Sequence, residues 1–207
     1  MKLCLVAEVF ILPAALLIAV LRSLPGPVFF PVRLLAIVYT DFFRGVPTIL
    51  VIIMLGFGMP ALGVGWIPLS PFFWAVVSLV LVYTAYVSEV YRAGIESVHP
   101  SQEAAARSLG LTRGQGLRYV VLPQAVRRVI PPLLNDFIGL SKDTALVAYL
   151  GVVEAFRQAQ IDNAATFNFT PYLVAATLFL LLTIPLTRFT DWLLARDRRR
   201  QQAGRLA

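Results

Sequence analysis

Cysteine, histidine and lysine are almost missing from this chain of 207 residues: it has one cysteine, one histidine and two lysines. A lone Cys4 excludes an intramolecular disulfide, and one histidine beside one cysteine leaves no Cys/His cluster to hold a metal. No nucleophile, base and orienting group can be assembled from so small a set. A G-x-x-x-x-G-K-[ST] phosphate-binding loop is missing too. The chain therefore reads as a non-enzyme with no catalytic residue, no metal and no cofactor. Charge is also scarce, at 14% of residues against about 25% in a soluble domain.

Apolar residues fill that space: 58% of the chain is hydrophobic, with a mean hydropathy of +0.78. So large an excess does not fit one soluble core, and points to an integral membrane protein in contact with lipid. A net charge of +7 would suggest nucleic acid in a soluble protein. Here the arginines gather in short segments between apolar runs, as the positive-inside pattern requires, so no nucleic-acid partner is expected.

The expected fold is all-α, with five transmembrane helices in one domain over residues 1–194. The spans are read at 3–21, about 46–59, 72–91, 131–153 and 172–194. Glu8 interrupts the first, and only Lys2 precedes it, so the start is short. Residues 22–44 read as a Pro-rich linker with a moderately apolar piece at 34–39. Residues 60–71 read as a Gly/Pro-rich loop, and 154–170 as a polar, amide-rich loop. Pro131-Pro132 is expected in the first turn of the fourth span, and Pro185 to kink or shorten the fifth. A basic tail occupies 195–207. With residues 100–123 placed inside, the inner segments hold fifteen of the eighteen Lys and Arg residues. The N-terminus then lies outside and the C-terminus in the cytoplasm.

Residues 101–123 form the longest run without a membrane-length apolar segment. Ser101 is the expected N-cap of a short helix, with Glu103 complementing the helix dipole and His99 left as a solvated loop residue. Ala104, Ala105 and Ala106 leave one face bare, suited to close approach by another backbone. Gly110 sits where a positive φ is wanted. Thr112 and Gln115 have the form of a capping box for a second helix, closed by Pro123.

Ionisable groups inside a span are expensive and mark function by default. Lys142-Asp143 lies near the middle of the expected fourth span, with Asn135 seven residues before Lys142 on nearly the same face, Asp136 nearer the cytoplasmic entrance, and Thr144 following. A cation and two acids around a polar groove suit a zwitterionic or charged small solute. The competing reading is an internal salt bridge that only fixes helix packing. Glu89 is a further candidate for the path, although Glu89 and Arg92, three residues apart, also suit a helix-surface ion pair.

Glu103-Ala104-Ala105, Gly110 and Val120-x-Leu122-Pro123 together resemble the EAA signature of ABC-importer permease subunits. In that family the signature is a cytoplasmic helix–glycine–helix resting in a cleft of the ATP-binding subunit. The resemblance thus implies a coupling role for Glu103, Ala104, Ala105, Gly110, Leu122 and Pro123. It widens with Asp41-x-x-Arg44-Gly45-x-Pro47, Tyr86-x-x-Glu89-x-x-Arg92-x-Gly94-Ile95 and Lys142-Asp143-Thr144 followed by Gly151-x-x-Glu154. In this order they look like the polar amino-acid branch of these permeases, the histidine/glutamine/arginine/glutamate type, over residues 41–191. Asp41 stands where glutamate is more usual and Val46 where threonine is.

The resemblance implies a subunit of the cytoplasmic (inner) membrane that pairs with a like or related permease. Its other partners would be two cytoplasmic ATP-binding subunits, an extracytoplasmic solute-binding protein and a polar amino-acid substrate. Two other classes stay open on the residues alone. One is an ion- or proton-coupled secondary transporter relaying through Lys142 and Asp143, against which no internal repeat is seen. The other is a membrane adaptor whose buried charges are structural.

Overall fold

The computed structural model describes the backbone of residues 1–206 and the side chains of residues 1–196. It is all-helical, with no strand among the described residues. Most of the basic tail, expected at 195–207, lies outside the described side chains.

Helix α1 (Lys2–Ser23) buries Leu3, Cys4, Ala7, Ile11, Ala15 and Ala19. From Cys4 to Ala19 successive members of this set fall three or four residues apart, on one helix face, and the three alanines let a neighbouring backbone come near. That neighbour is α4 (Pro71–Glu96), the most enclosed helix, which also packs against α2 (Phe30–Gly45), α3 (Thr48–Ala61) and α7 (Leu122–Asp143). Their shared core centres on Ile11, Ile52, Leu79, Val82, Leu140 and Val147. Without water to expel between helices in lipid, this packing and the polar contacts described below hold the bundle.

Residues 30–45 are not linker. They form α2 (Phe30–Gly45), whose buried stripe is only Ala36 and Thr40, too thin for its apolar content to stand out in sequence. The chain then turns by 103° into α3 (Thr48–Ala61). Proline drives the residue before it out of the helical region, and Val46, preceding Pro47, is accordingly extended at φ −92° and ψ 130°.

After the 62–70 loop, α4 is capped by Ser70, whose hydroxyl accepts from the Phe73 N–H. Helix α5 (Pro100–Ser108) follows, then α6 (Arg113–Gly116), which runs through a π turn (Leu117–Val121) into α7 (Leu122–Asp143). Pro123 therefore does not close the second short helix; it stands in the first turn of α7. Nor do Pro131 and Pro132 open a span, for both lie inside α7. Two π turns occur, at Met54–Gly58 and Leu117–Val121, and each is followed by a proline two residues on, Pro60 and Pro123. A proline ring collides with the carbonyl four residues earlier. Widening the preceding turn lets the helix continue past it.

Helix α7 ends at Asp143, and a 3-10 segment (Thr144–Leu150) follows, stopped by Gly151 at φ +80°. Residues 154–170, expected as loop, contain α8 (Ala155–Thr166), then the long α9 (Thr170–Leu206), which continues through Pro185. Among the described residues three helices, α1, α4 and α9 (to Arg196), are long and apolar enough to cross a membrane, or four spans if the bent α2–α3 pair is one.

Candidate coupling element and solute path

The connection between α5 and α6 is built as the residue types dictate. The Gly110 N–H donates to the Arg107 carbonyl at 3.0 Å and the Leu111 N–H to the Ala106 carbonyl at 3.1 Å. With Gly110 at φ +80°, this is a full Schellman ending. Thr112 and Gln115 then form a reciprocal capping box: the Thr112 N–H donates to Gln115 Oε1 at 2.9 Å, and the Gln115 N–H to Thr112 Oγ1 at 3.3 Å. At the start of α5 the sequence reading is corrected. Pro100 occupies the first turn and the N-cap is His99, whose Nδ1 accepts from the Ser101 N–H at 3.2 Å.

The two short helices are pressed together where side chains are smallest. Ala106 is buried, and a Cβ added at Gly116 would meet the Ala106 Cβ at 3.4 Å. Ala104 and Ala105 face outward, beside Leu109 at 83% exposed and Tyr119 at 64%. Leu122 and Pro123 are exposed as well. Glu103 lies 3.7 Å from Arg113, a surface pair of small energetic weight. The result is a preformed, bare, partly apolar platform.

The six candidates for a solute path do not converge on one point. Glu89 is held between Arg22 of α1 and Arg92 one turn on, and Arg92 also pairs with Glu96. Sequence spacing pointed to Arg92 but carried no sign of Arg22, which meets Glu89 only because α1 lies along α4. Lys142 and Asp143 occupy the last turn of α7 rather than mid-span, and they diverge. Asp143 accepts from the Tyr83 hydroxyl of α4 at 3.0 Å. The exposed Lys142 lines a cavity of about 460 Å³ with Ala145, Phe156, Tyr172, Ala175, Ala176 and Phe179. It makes no ion pair among the described residues. Thr144 is buried and donates to the Ser141 carbonyl at 2.6 Å. Asn135 is exposed, while the half-buried Asp136 has a buried Oδ2 without a partner.

A family described as the binding-protein-dependent transport system inner membrane component matches residues 11–199. This chain belongs to that family. The permease is 37% identical over 150 residues to the arginine transport system permease protein ArtQ of Bacillus subtilis (strain 168), covering 72% of this chain and 68% of ArtQ. It is 35% identical over 188 residues to the inner membrane amino-acid ABC transporter permease protein YhdY of Escherichia coli (strain K12), covering 88% of this chain and 50% of that longer protein. Among solved structures, an amino acid ABC transporter crystallised with histidines superposes with a TM-score of 0.84 at 33% identity, covering 94% of this chain and 89% of that one. The permease is thus a membrane component of a transport system and not itself the catalytic part.

Proposed function

We propose that the permease imports a polar amino acid across the cytoplasmic membrane by alternating access. It would act as one of a pair of like or related membrane subunits, fed by an extracytoplasmic binding protein and driven by ATP hydrolysed in separate cytoplasmic subunits. The observation that carries this reading is the platform of Ala104, Ala105 and Leu109. It is locked into shape by the Gly110 turn and the Thr112–Gln115 box, and its side chains stay exposed among the described residues. Glu103, Gly110, Leu122 and Pro123 frame that platform, and a motor subunit's cleft fits it. The five spans are then α1, the bent α2–α3 pair, α4, α7 and α9, with the N-terminus outside and the tail inside. Helix α7 is less apolar than the other spans because it carries Arg127, Arg128, Asp136, Lys142 and Asp143. Its 22 residues, at about 1.5 Å each, still reach roughly 33 Å.

Of the path candidates, Lys142 faces a cavity. Its ammonium suits a solute carboxylate, and Phe156, Tyr172 and Phe179 offer apolar walls. Asp143, tied to Tyr83, holds α7 against α4 and frames the path rather than binding. An ion-coupled carrier has no support in the family or in its relatives. The test is affinity purification of the permease from membranes in mild detergent, followed by uptake in vesicles. A P-loop ATPase is expected to come with it, to be lost when residues 103–110 are altered, and to drive amino-acid uptake that Lys142→Ala reduces at unchanged ATPase recovery. A homo-oligomer without ATPase, taking up solute on an ion gradient, refutes the proposal.

A further inference from the structure

The cytoplasmic ends of α4 and α7, which flank the coupling element, meet at a point of unusually tight fit. Gly94, in the last turn of α4, receives Val129 of α7. A Cβ built at position 94 would overlap Val129 Cγ2, while standing 3.4 Å from the Val129 Cβ and 3.6 Å from the Ala125 carbonyl. Val129 and Gly94 are both buried. Two polar ties bracket this contact. The Arg128 guanidinium donates to the carbonyl of Ser97, the residue that ends α4. Gln124 Nε2 reaches Gln102 Oε1 on α5 at 3.4 Å. The Ser97 hydroxyl in turn donates to the Gly94 carbonyl at 2.6 Å, closing the α4 end on itself.

We infer that Gly94 is a positioning residue for transport: its missing side chain lets Val129 lock α4 to α7, so the coupling element and both helices move as one body. A bulkier side chain at 94 would part the two helices at the root of the element. A push on Ala104 and Ala105 would then be absorbed at that joint instead of reaching the outer end of α7, where Lys142 faces its cavity. This inference rests on the importer reading above, but the two fail separately. If the wild-type complex shows no ATP-driven uptake, the importer reading falls. If it does, the joint is tested by its variants.

The numbers at the joint set the experiment. Gly94→Ala collides with a single methyl, so Val129→Ala removes the obstacle and leaves Cβ atoms 3.4 Å apart. Three variants, Gly94→Ala, Val129→Ala and the double, are compared in proteoliposomes with the co-purified ATPase, reading solute transported per ATP hydrolysed. Gly94→Ala is expected to lower that ratio by about fivefold or more, the low end of ordinary coupling between sites, and the double variant to return it to within about twofold of wild type. Should Gly94→Ala fail to assemble, Arg128→Gln, which leaves the packing alone, is expected to lower the same ratio. An unchanged ratio in Gly94→Ala overturns the inference, as does a double variant no better than the single. So does an unchanged ratio in Arg128→Gln where that variant is the one measured.

Discussion

Gly110 holds φ at +80°, and beyond its own chain neighbours no atom lies within 4 Å of the position a Cβ would take. Space is therefore not what requires glycine there; backbone conformation is. A left-handed residue costs an L side chain about 1–2 kcal/mol, and a β-branched one more, because Cβ crowds the following carbonyl. Gly110→Val should strain the Schellman ending, rotate α6 against α5 and spoil the platform. The expected outcome is ATPase activity that no longer responds to loaded binding protein, with uptake reduced by about tenfold or more, on the order of the loss a coupling energy of 1–3 kcal/mol predicts. Full uptake with normal ATPase stimulation in the variant would remove Gly110 from the coupling role. The same scale explains why Tyr83 escaped sequence reasoning. Its partner Asp143 is sixty residues away, and only the packing of α4 on α7 brings them together.

At the scale of elements, legibility followed how each helix announces its ends. Helices α1, α4 and α9 each hold a long apolar run with at most two charges, so composition alone located them. The α5–α6 turn was legible down to Gly110, Thr112 and Gln115, because local hydrogen-bonding chemistry decides it. Prolines were the main source of error. Pro123, Pro131 and Pro132 suggested boundaries, yet the chain stays helical through all three. In a membrane a broken helix exposes polar backbone to lipid, which costs more than the bond each proline removes. Helix α8 was missed for the opposite reason: its amide-rich sequence reads as loop, and its start is fixed by one carboxylate. Glu154 accepts from the Phe156 N–H at 2.8 Å and the Arg157 N–H at 2.7 Å. Glu154→Ala should loosen that start by about 1 kcal/mol. Hydrogen exchange at Phe156 and Arg157 should quicken while α9 stays protected. Unaltered exchange there would mean that tertiary packing, not the cap, holds α8.

At the scale of the whole molecule the open question is whether α7 crosses the membrane, since it separates a five-span permease from one of three or four spans. In the proposed topology residues 100–123 lie in the cytoplasm, where the arginines gather, and α7 leads from them to the 3-10 segment and Gly151. The two ends of that passage carry well-exposed side chains, Leu109 at 83% and Val153 at 64%. The native thiol causes no interference, because Cys4 is fully buried at 0% and burial shields it from reagent. Leu109→Cys and Val153→Cys can therefore be compared directly with the unaltered chain. A membrane-impermeant maleimide should label Val153→Cys in intact cells with an opened outer layer, and Leu109→Cys only in inverted vesicles. Labelling of both from one face would leave α7 on a single side despite its 22 residues. Lys142 would then lie on that side too, and the cavity it faces would belong to a surface groove instead of a path across the bilayer. Opposite labelling places Lys142 and the coupling platform at the two ends of one helix. A motion begun at Ala104 and Ala105 would then have about 33 Å of continuous helix, at 1.5 Å per residue, through which to reach the solute.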